Sequence, residues 1–396
     1  MNLNGEKVRS TLIMCGIAGF FFRDLRVCDF SVLKAMTDSI RHRGPDAEGA
    51  YIRSGIALGH RRLSIIDLSS GAQPMSNDRG DLHLVFNGEI YNFLLLKAQL
   101  ESQGQYFRTN SDTEVILACY ERFGDSFVDH LNGMFALALW DDRNKRLILA
   151  RDRIGKKPLY YRATDDGVVF ASELKALLRG PSMPRDIDEV SVDEYFSFGY
   201  IPEPHTIYKD IKKLPAATMM IVDGNGAKMS KYWSLPLFVP VVRDEADYAE
   251  EVLSVLEDSV RIRMISDVPL GVFLSGGIDS SAVTGLMAKN SAQPVKTFSI
   301  RGGDAEFDEL PYARAVARMH GTEHHEFDLP AEKLESILPG LVNHFDEPFG
   351  DSSMLPTYYV SHLARQHVTV ALSGEGGDEL FAGYDWQRKY DWIRRR

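Results

Sequence analysis

The sequence predicts two domains of different class. The first is an α+β sandwich of stacked antiparallel sheets flanked by helices, and the second an α/β domain built on a parallel sheet. Three observations carry this. In the first half, short apolar strands alternate with turn residues, the pattern of antiparallel sheets. From about Asp247 the pattern changes to alternating helix and strand with short loops, which implies a parallel sheet with right-handed crossovers. Within that second half, residues 270–281 read as a buried strand, a turn of small residues and the start of a helix. Ligands of such a sheet sit at the carboxyl ends of its strands, near the switch in strand order.

Composition narrows the function classes. The chain has 396 residues, length enough for two or three domains, and its 44% hydrophobic and 26% charged residues are ordinary for a soluble protein. A net charge of −11 argues against a nucleic-acid surface. No stretch is long and apolar enough to span a bilayer, and residues 1–14 hold only the apolar patch Thr11-Leu12-Ile13-Met14, without a signal-peptide core. The cysteines, Cys15, Cys28 and Cys119, lack C-x-x-C spacing. They point to a reducing compartment, hence the cytoplasm, and to no zinc site.

The elements follow in order. Residues 1–14 form a polar extension, 15–225 the first domain, 226–246 a linker and 247–396 the second domain. A strand begins at Cys15-Gly16-Ile17-Ala18-Gly19-Phe20. A helix is expected over 113–123, with Ser111 and Glu114 spaced as a capping box and Cys119 in its core. The stretch from Ala150 to Glu173 reads as a hairpin completing the sandwich, with Lys156 and Lys157 in a solvated turn. The second domain opens on a helix over 248–266, with Val252, Val255, Leu256, Val260 and Met264 at helical spacing. Strands are expected at 268–274, 295–300, 323–327 and 368–372, with helices from Ser280, over 309–320 and over 331–345. His324 and His325 are adjacent on a strand, face opposite sides and are poor metal ligands.

Two loops of the second domain carry chemistry. Ser275-Gly276-Gly277-Ile278-Asp279-Ser280-Ser281 follows the apolar run Val272-Phe273-Leu274. Small residues leave backbone N–H groups uncovered where a helix begins, and those groups and the helix dipole favour an anion. The common phosphate loop G-x-x-x-x-G-K-[ST] is absent from the chain. Ser373-Gly374-Glu375-Gly376-Gly377-Asp378-Glu379 follows the last strand. Asp279 and Asp378 together suit Mg²⁺, which takes a carboxylate or two plus phosphate oxygens. A tight strand-to-helix connection and a functionless acidic turn are the plain alternatives.

The pattern S-G-G-[IL]-D-S-S resembles the pyrophosphate-binding loop of the ATP pyrophosphatases, which split ATP between the α- and β-phosphates and make an acyl-adenylate. The resemblance implies ATP binding by Leu274, Ser275, Gly276, Gly277, Asp279, Ser280, Ser281, Ser299, Ser373 and Gly374, with Mg²⁺ at Asp279 and Asp378. It places Glu375 for the acceptor or for proton transfer to attacking ammonia.

The first half carries Arg41-His42-Arg43-Gly44-Pro45-Asp46, His60-Arg61-Arg62-Leu63-Ser64-Ile65, Phe86-Asn87-Gly88-Glu89-Ile90-Tyr91-Asn92, Ser111-Asp112-Thr113-Glu114 and Gly133-Met134-Phe135-Ala136. With Cys15 this set resembles the class II glutamine amidotransferase domain, an N-terminal nucleophile sandwich, over about half of the chain. In that family the first residue of the mature protein is a cysteine. Its thiol attacks the side-chain amide of glutamine, and its own α-amino group is the base. An α-amine titrates near ~7.7–8 and a thiol near ~8.5, so exchange between them is nearly balanced at neutral pH. The resemblance makes the Asn87 amide and the Gly88 N–H the oxyanion donors, Arg62 the partner of the substrate carboxylate, and Asp112 and the region of Glu89 the partners of its ammonium. Plainer roles stay open: Asp112 as a helix-start carboxylate, Asn87-Gly88 as a turn, Arg41 and Arg43 as structural charges, His42 and His60 as scaffold hydrogen-bonders, Cys15 as a small buried hydrophobe.

A glutaminase and an adenylating synthetase on one chain resemble the glutamine-hydrolysing asparagine synthase family. That implies glutamine, ATP and aspartate as substrates, ammonia passed internally, and asparagine, AMP, pyrophosphate and glutamate as products; it admits a homodimer. Asp346-Glu347-Pro348-Phe349-Gly350-Asp351-Ser352-Ser353 is the expected acceptor-side loop. An amidotransferase of the same plan acting on another carboxylate, or a nonenzymatic binding remnant, would share these motifs. Two departures carry expectations. Cys15 follows Met14 and is expected to become N-terminal by loss of what precedes it. Family members continue beyond position 396 through a helical part that usually includes a lysine, and Arg394-Arg395-Arg396 supplies no replacement. The parallel-sheet domain is therefore expected to be incomplete, and asparagine synthesis poor.

Overall fold

A computed structural model describes residues 14–237, 239, 241–301, 309–329 and 331–394. Positions 1–13 of the expected extension, and Arg395 and Arg396, lie outside the described residues. The chain divides into two compact units: Met1–Val239 with Ser336–Ser352, and Pro240–Glu335 with Ser353–Arg396.

The first unit holds twelve described strands: β1 (Gly16–Phe22), β2 (Ala47–Arg53), β3 (Ile56–Arg62), β4 (Met75–Ser76), β5 (Leu82–Ile90), β6 (Gly133–Asp141), β7 (Arg146–Arg151), β8 (Tyr160–Thr164), β9 (Gly167–Ala171), β10 (Lys212–Lys213), β11 (Thr218–Asp223) and β12 (Gly226–Lys231). They form two six-stranded sheets, ordered β10-β8-β9-β1-β3-β2 and β12-β11-β7-β6-β5-β4, with every strand pair antiparallel. The sequence of β1 shows how the layers stack. Ile17 and Phe21 pack between the sheets with Trp140, Val85 and Leu149. Ala18 and Phe20 point the other way, against Leu33 and Met36 of the helix Phe30–Ser39 and against Leu174 and Leu177. A strand with apolar residues on both faces must be covered on both, and β1 lies mid-sheet beneath such a helix layer.

The helix Asp112–Phe123 is present, and Cys119 is in its buried face. The capping box does not close. Ser111 caps Thr113 N at 3.2 Å, but the buried Glu114 accepts instead from the backbone of Arg108 (3.0 Å) and Thr109 (2.8 Å). Glu114 thereby folds the preceding loop onto the helix start. The expected linker is also shorter than 226–246, because residues 226–231 pair with β11 as an edge strand. The hairpin β8–β9 forms as expected.

The second unit is a parallel sheet of β13 (Leu270–Phe273), β14 (Lys296–Arg301), β15 (Glu323–Asp328) and β16 (Val370–Leu372), ordered β15-β14-β13-β16. The helices Glu245–Arg263, Ile278–Lys289 and Leu310–His320 lie close to the predicted positions. From β13 the chain steps outward to β14 and β15, then returns to place β16 on the opposite side of β13. The strand order therefore reverses between β13 and β16, and both glycine-rich loops leave that switch point. His324 hydrogen-bonds Thr297 Oγ1 at 2.8 Å and His325 contacts Glu323 at 3.0 Å.

Phe21, 1% exposed and 5.2 Å from the Trp140 ring, fills the space between the two antiparallel sheets. Phe21→Ala should cost about 3–5 kcal/mol of the first unit's stability, read as a lower urea midpoint for its unfolding. A change below about 1 kcal/mol would mean that the two sheets do not share this core.

Candidate functional sites

The first unit contains a cavity of about 60 Å³ lined by Cys15, Arg62, Asn87, Gly88, Glu89 and Asp112, together with Met14, Leu63, Gln73, Met134 and Lys157. Six residues chosen from the sequence thus converge from the start of β1, the end of β3, the second half of β5 and the first turn of a helix. Antiparallel pairing does this: Gly16 sits opposite Arg61, and Asn87 opposite Ala136.

The Cys15 thiol is half-buried, accepts from Leu63 N at 3.4 Å and reaches Leu63 O at 3.5 Å. Burial pushes its pKa up, against the Leu63 N–H and the charges of Lys157, Arg43 and Arg62. Arg43 donates from Nε to the Cys15 carbonyl at 2.9 Å and from Nη1 to Glu173 at 2.8 Å, so it is a structural charge that fixes the cysteine backbone. His42 also meets Glu173, at 3.0 Å, and His60 meets the Phe86 carbonyl at 3.1 Å. Both serve the scaffold, as the sequence suggests.

Asn87 is 1% exposed, and neither its amide nitrogen nor its amide oxygen has a partner among the described residues. An orphaned buried amide costs about 1–3 kcal/mol. It faces the cavity, where a ligand oxygen would satisfy it. At Gly88 a Cβ would lie 2.0 Å from the Met134 carbonyl oxygen, so only glycine lets β5 and β6 approach here. Arg62 lines the cavity, while its Nη atoms donate to the carbonyls of Ile66 (3.2 Å), Asp67 (2.6 Å) and Leu68 (3.3 Å). It therefore also shapes the 66–68 loop. Asp112 accepts from Ile90 N at 3.0 Å, and burial pushes its pKa up to about 6 despite the hydrogen bonds to Ile90, Thr113 and Ser111.

Lys157 overturns an expectation. Lys156 is exposed as predicted, but Lys157 is only 5% exposed and lines the cavity. The cause is Asp152, whose carboxylate accepts from Ile154 N (3.2 Å), Lys156 N (2.9 Å), Lys157 N (2.9 Å) and Phe135 N (3.1 Å). The turn winds around that carboxylate, and Arg151 clamps the Lys157 carbonyl at 2.8 Å. Sequence reasoning also missed Gln73, which holds Phe86 N at 2.6 Å and Thr113 at 3.3 Å. Asp-x-x-x-Lys-Lys at a strand end was a signal for the lysine; Gln73 gave none.

In the second unit, Ser275–Ser281 and Ser373–Asp378 leave neighbouring strands and touch. A Cβ on Gly374 would fall 2.8 Å from Ser280 N, and one on Gly377 2.2 Å from Asp279 Oδ2. Gly276 has φ +95° and packs on Ala313 N, at 2.6 Å from an added Cβ. Ser275 Oγ accepts from Gly277 N at 3.2 Å and lies 3.0 Å from Ser280 Oγ, which bends the loop over the start of the helix Ile278–Lys289. Ser281 Oγ is buried without a partner among the described residues. Ser299 donates to the Leu274 carbonyl, which ties β14 to the loop. Glu375 is exposed, with its N–H on Ser373 Oγ at 3.3 Å. Among the described residues no three His, Cys, Asp or Glu side chains cluster as a metal site. A pair of carboxylates beside phosphate oxygens is what Mg²⁺ accepts, and Asp279 with Asp378 supplies that donor type.

The expected acceptor-side loop falls mostly in the first unit. Asp346 pairs with Lys175 at 3.2 Å and Glu347 with Lys213 at 2.6 Å, while Gly350 N donates to Gly199 O at 2.7 Å.

Residues 14–233 match the glutamine amidotransferase domain family, and residues 251–396 the asparagine synthase family. The chain is 40% identical to asparagine synthetase [glutamine-hydrolyzing] 1 of Bacillus subtilis over 95% of its own length and 60% of that protein's. It is 41% identical to a putative asparagine synthetase [glutamine-hydrolyzing] 2 of Methanocaldococcus jannaschii, over 94% of its own length and 76% of that protein's. The chain thus spans about 60% of the length of the Bacillus relative.

The raised Asp112 pKa makes a pH prediction. A folded pKa of about 6, above the ordinary 3.8, gives stability that is full below about pH 4 and lost as pH rises through about 6. Asp112→Asn removes that titration and keeps an acceptor for Ile90 N. Relative to the parent, the variant should gain about 2–3 kcal/mol between pH 4 and pH 8 in urea unfolding. A difference independent of pH would show that the carboxylate is not desolvated.

Proposed function

The chain belongs to the family of glutamine-hydrolysing asparagine synthetases, and from that premise we propose that it releases ammonia from glutamine at the cavity around Cys15 and uses ATP at the paired loops of the second unit to activate the β-carboxyl of aspartate. Asparagine, AMP and pyrophosphate result. The observation that carries the glutaminase half is Asn87, a buried amide with both polar atoms unpartnered among the described residues, in the same cavity as the Cys15 thiol.

With Cys15 N-terminal, its thiol adds to the amide carbon of glutamine while the thiol proton passes to the neutral α-amine. The oxygen of the tetrahedral adduct takes hydrogen bonds from the Asn87 amide and the Gly88 N–H. When the carbon–nitrogen bond breaks, the proton held on the α-amine goes to the leaving nitrogen, giving ammonia and a thioester. Water then returns the thiol and glutamate. Arg62 binds the substrate carboxylate and Asp112 with Glu89 its ammonium. In the second unit, the N–H groups at the start of the helix Ile278–Lys289 and the Ser275, Ser280 and Ser281 hydroxyls hold the pyrophosphate. Asp279 and Asp378 would hold Mg²⁺, which offsets phosphate charge. Glu375 is the base at the acceptor side. The three cysteines are free thiols, which suits a reducing cytoplasm.

The test is product analysis with amide-labelled glutamine, ATP, Mg²⁺ and aspartate, alongside the intact mass of the protein. Labelled ammonia is expected from a protein whose mass begins at Cys15, and any labelled asparagine should come with equal AMP and pyrophosphate. Full glutaminase activity with Met14 still attached would overturn the N-terminal-cysteine mechanism. Turnover with a different carboxylate in place of aspartate would overturn the acceptor.

Cys15→Ala should abolish use of glutamine and leave any reaction with free ammonia. Asn87→Ala should lower kcat for glutamine hydrolysis by about 10²–10³, with the urea midpoint unchanged or higher. Asp279→Asn and Asp378→Asn should each weaken ATP–Mg²⁺ binding in calorimetry; heats equal to the parent's in both would remove these carboxylates from the site.

A further inference from the structure

Lys157 is a buried cation that the glutaminase chemistry described above does not use. It is 5% exposed, lines the Cys15 cavity and forms no ion pair among the described residues. Its ammonium rests on the Met14 sulfur at 2.6 Å, the residue whose removal exposes the Cys15 amine. A buried charge without a paired carboxylate is costly, and a solvated position was one residue away at Lys156. The fold instead spends four backbone hydrogen bonds to Asp152 and the Arg151 clamp on turning Lys157 inward.

We propose that Lys157 is a positioning residue for the nucleophile: its ammonium favours the thiolate of Cys15 and, once the preceding residue is gone, the neutral form of the Cys15 α-amine. This rests on the reading of Cys15 as the glutaminase nucleophile. A positive charge beside both groups disfavours the α-ammonium and stabilises S⁻. It readies the amine to take the thiol proton and to give it up to the departing nitrogen. The other charges at the site come from separate elements: Arg62 ends β3, Arg43 follows the first helix, Glu89 lies on β5, Asp112 opens a helix and Asp152 begins the turn. Among the charges acting on the Cys15 thiol, that of Lys157 is the largest, ahead of Arg43 and Arg62. Burial, then Arg43, lowers the Lys157 pKa to about 8, against Glu89, Cys15 and Asp152. The lysine is therefore charged at neutral pH and loses its influence just above it.

The full chain should be compared with Lys157→Met and Lys157→Arg by two measurements: the pH dependence of Cys15 alkylation by iodoacetamide, read by peptide mass spectrometry, and the pH profile of kcat/KM for glutamine hydrolysis. In the Met variant the alkylation rate at pH 7, where Lys157 is charged, should fall about tenfold. The gap should close as pH passes about 8, where Lys157 gives up its own proton. The Arg variant, charged throughout, should keep the parent rate at pH 7 and exceed it above pH 8. If the Met variant loses its fold, Lys157→Gln read in the same way must show the same loss of rate at pH 7. Alkylation rates at pH 7 and acid limbs that coincide in the parent and the uncharged variant would overturn the inference. Alkylation slowed at pH 7 in the uncharged variant, with a parent protein that does not hydrolyse glutamine, would sustain the electrostatic role of Lys157 and remove the glutaminase reading instead.

Discussion

The Glu173 carboxylate is the point on which the first unit's chemistry depends. It follows β9 and gathers Arg43 at 2.8 Å, His42 at 3.0 Å and Lys175 at 2.9 Å, with its own side chain 9% exposed. Burial alone would raise its pKa; the His42 hydrogen bond and the charges of Arg43, His42 and Lys175 overcome that and hold it well below the carboxylate range. Removing one member of a buried pair costs about 3–5 kcal/mol because the other charge is stranded. The arrangement reaches outward on two sides. Through Arg43 it fixes the Cys15 carbonyl. Through Lys175 it fixes Asp346 and the His344 carbonyl, so that residues 336–352 fold with the first unit although they are far away in sequence.

The cavity beside it works by the opposite rule. Around Glu173 every charge is matched, whereas around Cys15 the groups are left short of partners. The Asn87 amide is orphaned among the described residues, the Asp112 carboxyl is pushed toward its neutral form, and the Lys157 ammonium has a sulfur for a neighbour. Desolvated groups of this kind mark sites built for a ligand rather than for stability. The matched cluster makes the unmatched one affordable, because a rigid backbone at Cys15 keeps the short-handed groups from collapsing onto one another.

The second unit reaches its site by backbone rather than by charge. Gly374 and Gly377 bring one loop against the N-terminus of the helix Ile278–Lys289, at distances a Cβ would forbid. The parallel sheet supplies the rest: β13 and β16 are adjacent, so the two loops that follow them share one edge of the sheet. Neither loop carries a basic side chain, and an anion there would be met by N–H groups and hydroxyls.

Much of this was legible in the sequence because it is local. Period-2 apolar runs, the change to helix–strand alternation near 247, and the two glycine-rich loops after apolar strands all follow from side-chain direction and backbone sterics within a few residues. Cys15, Arg62, Asn87, Gly88, Glu89 and Asp112, which line the Cys15 cavity, were legible from motifs, whereas Gln73 was not. What the sequence could not carry was which hydrogen bond a side chain chooses when several are in reach. Glu114 has capping-box spacing but serves the loop before it, and residues 226–231 look like a linker until β11 offers them an edge. Lys157 sits beside an identical residue in a polar turn, and only the Asp152 carboxylate, with four backbone N–H groups wound around it, decides which of the two lysines faces water and which faces the cysteine.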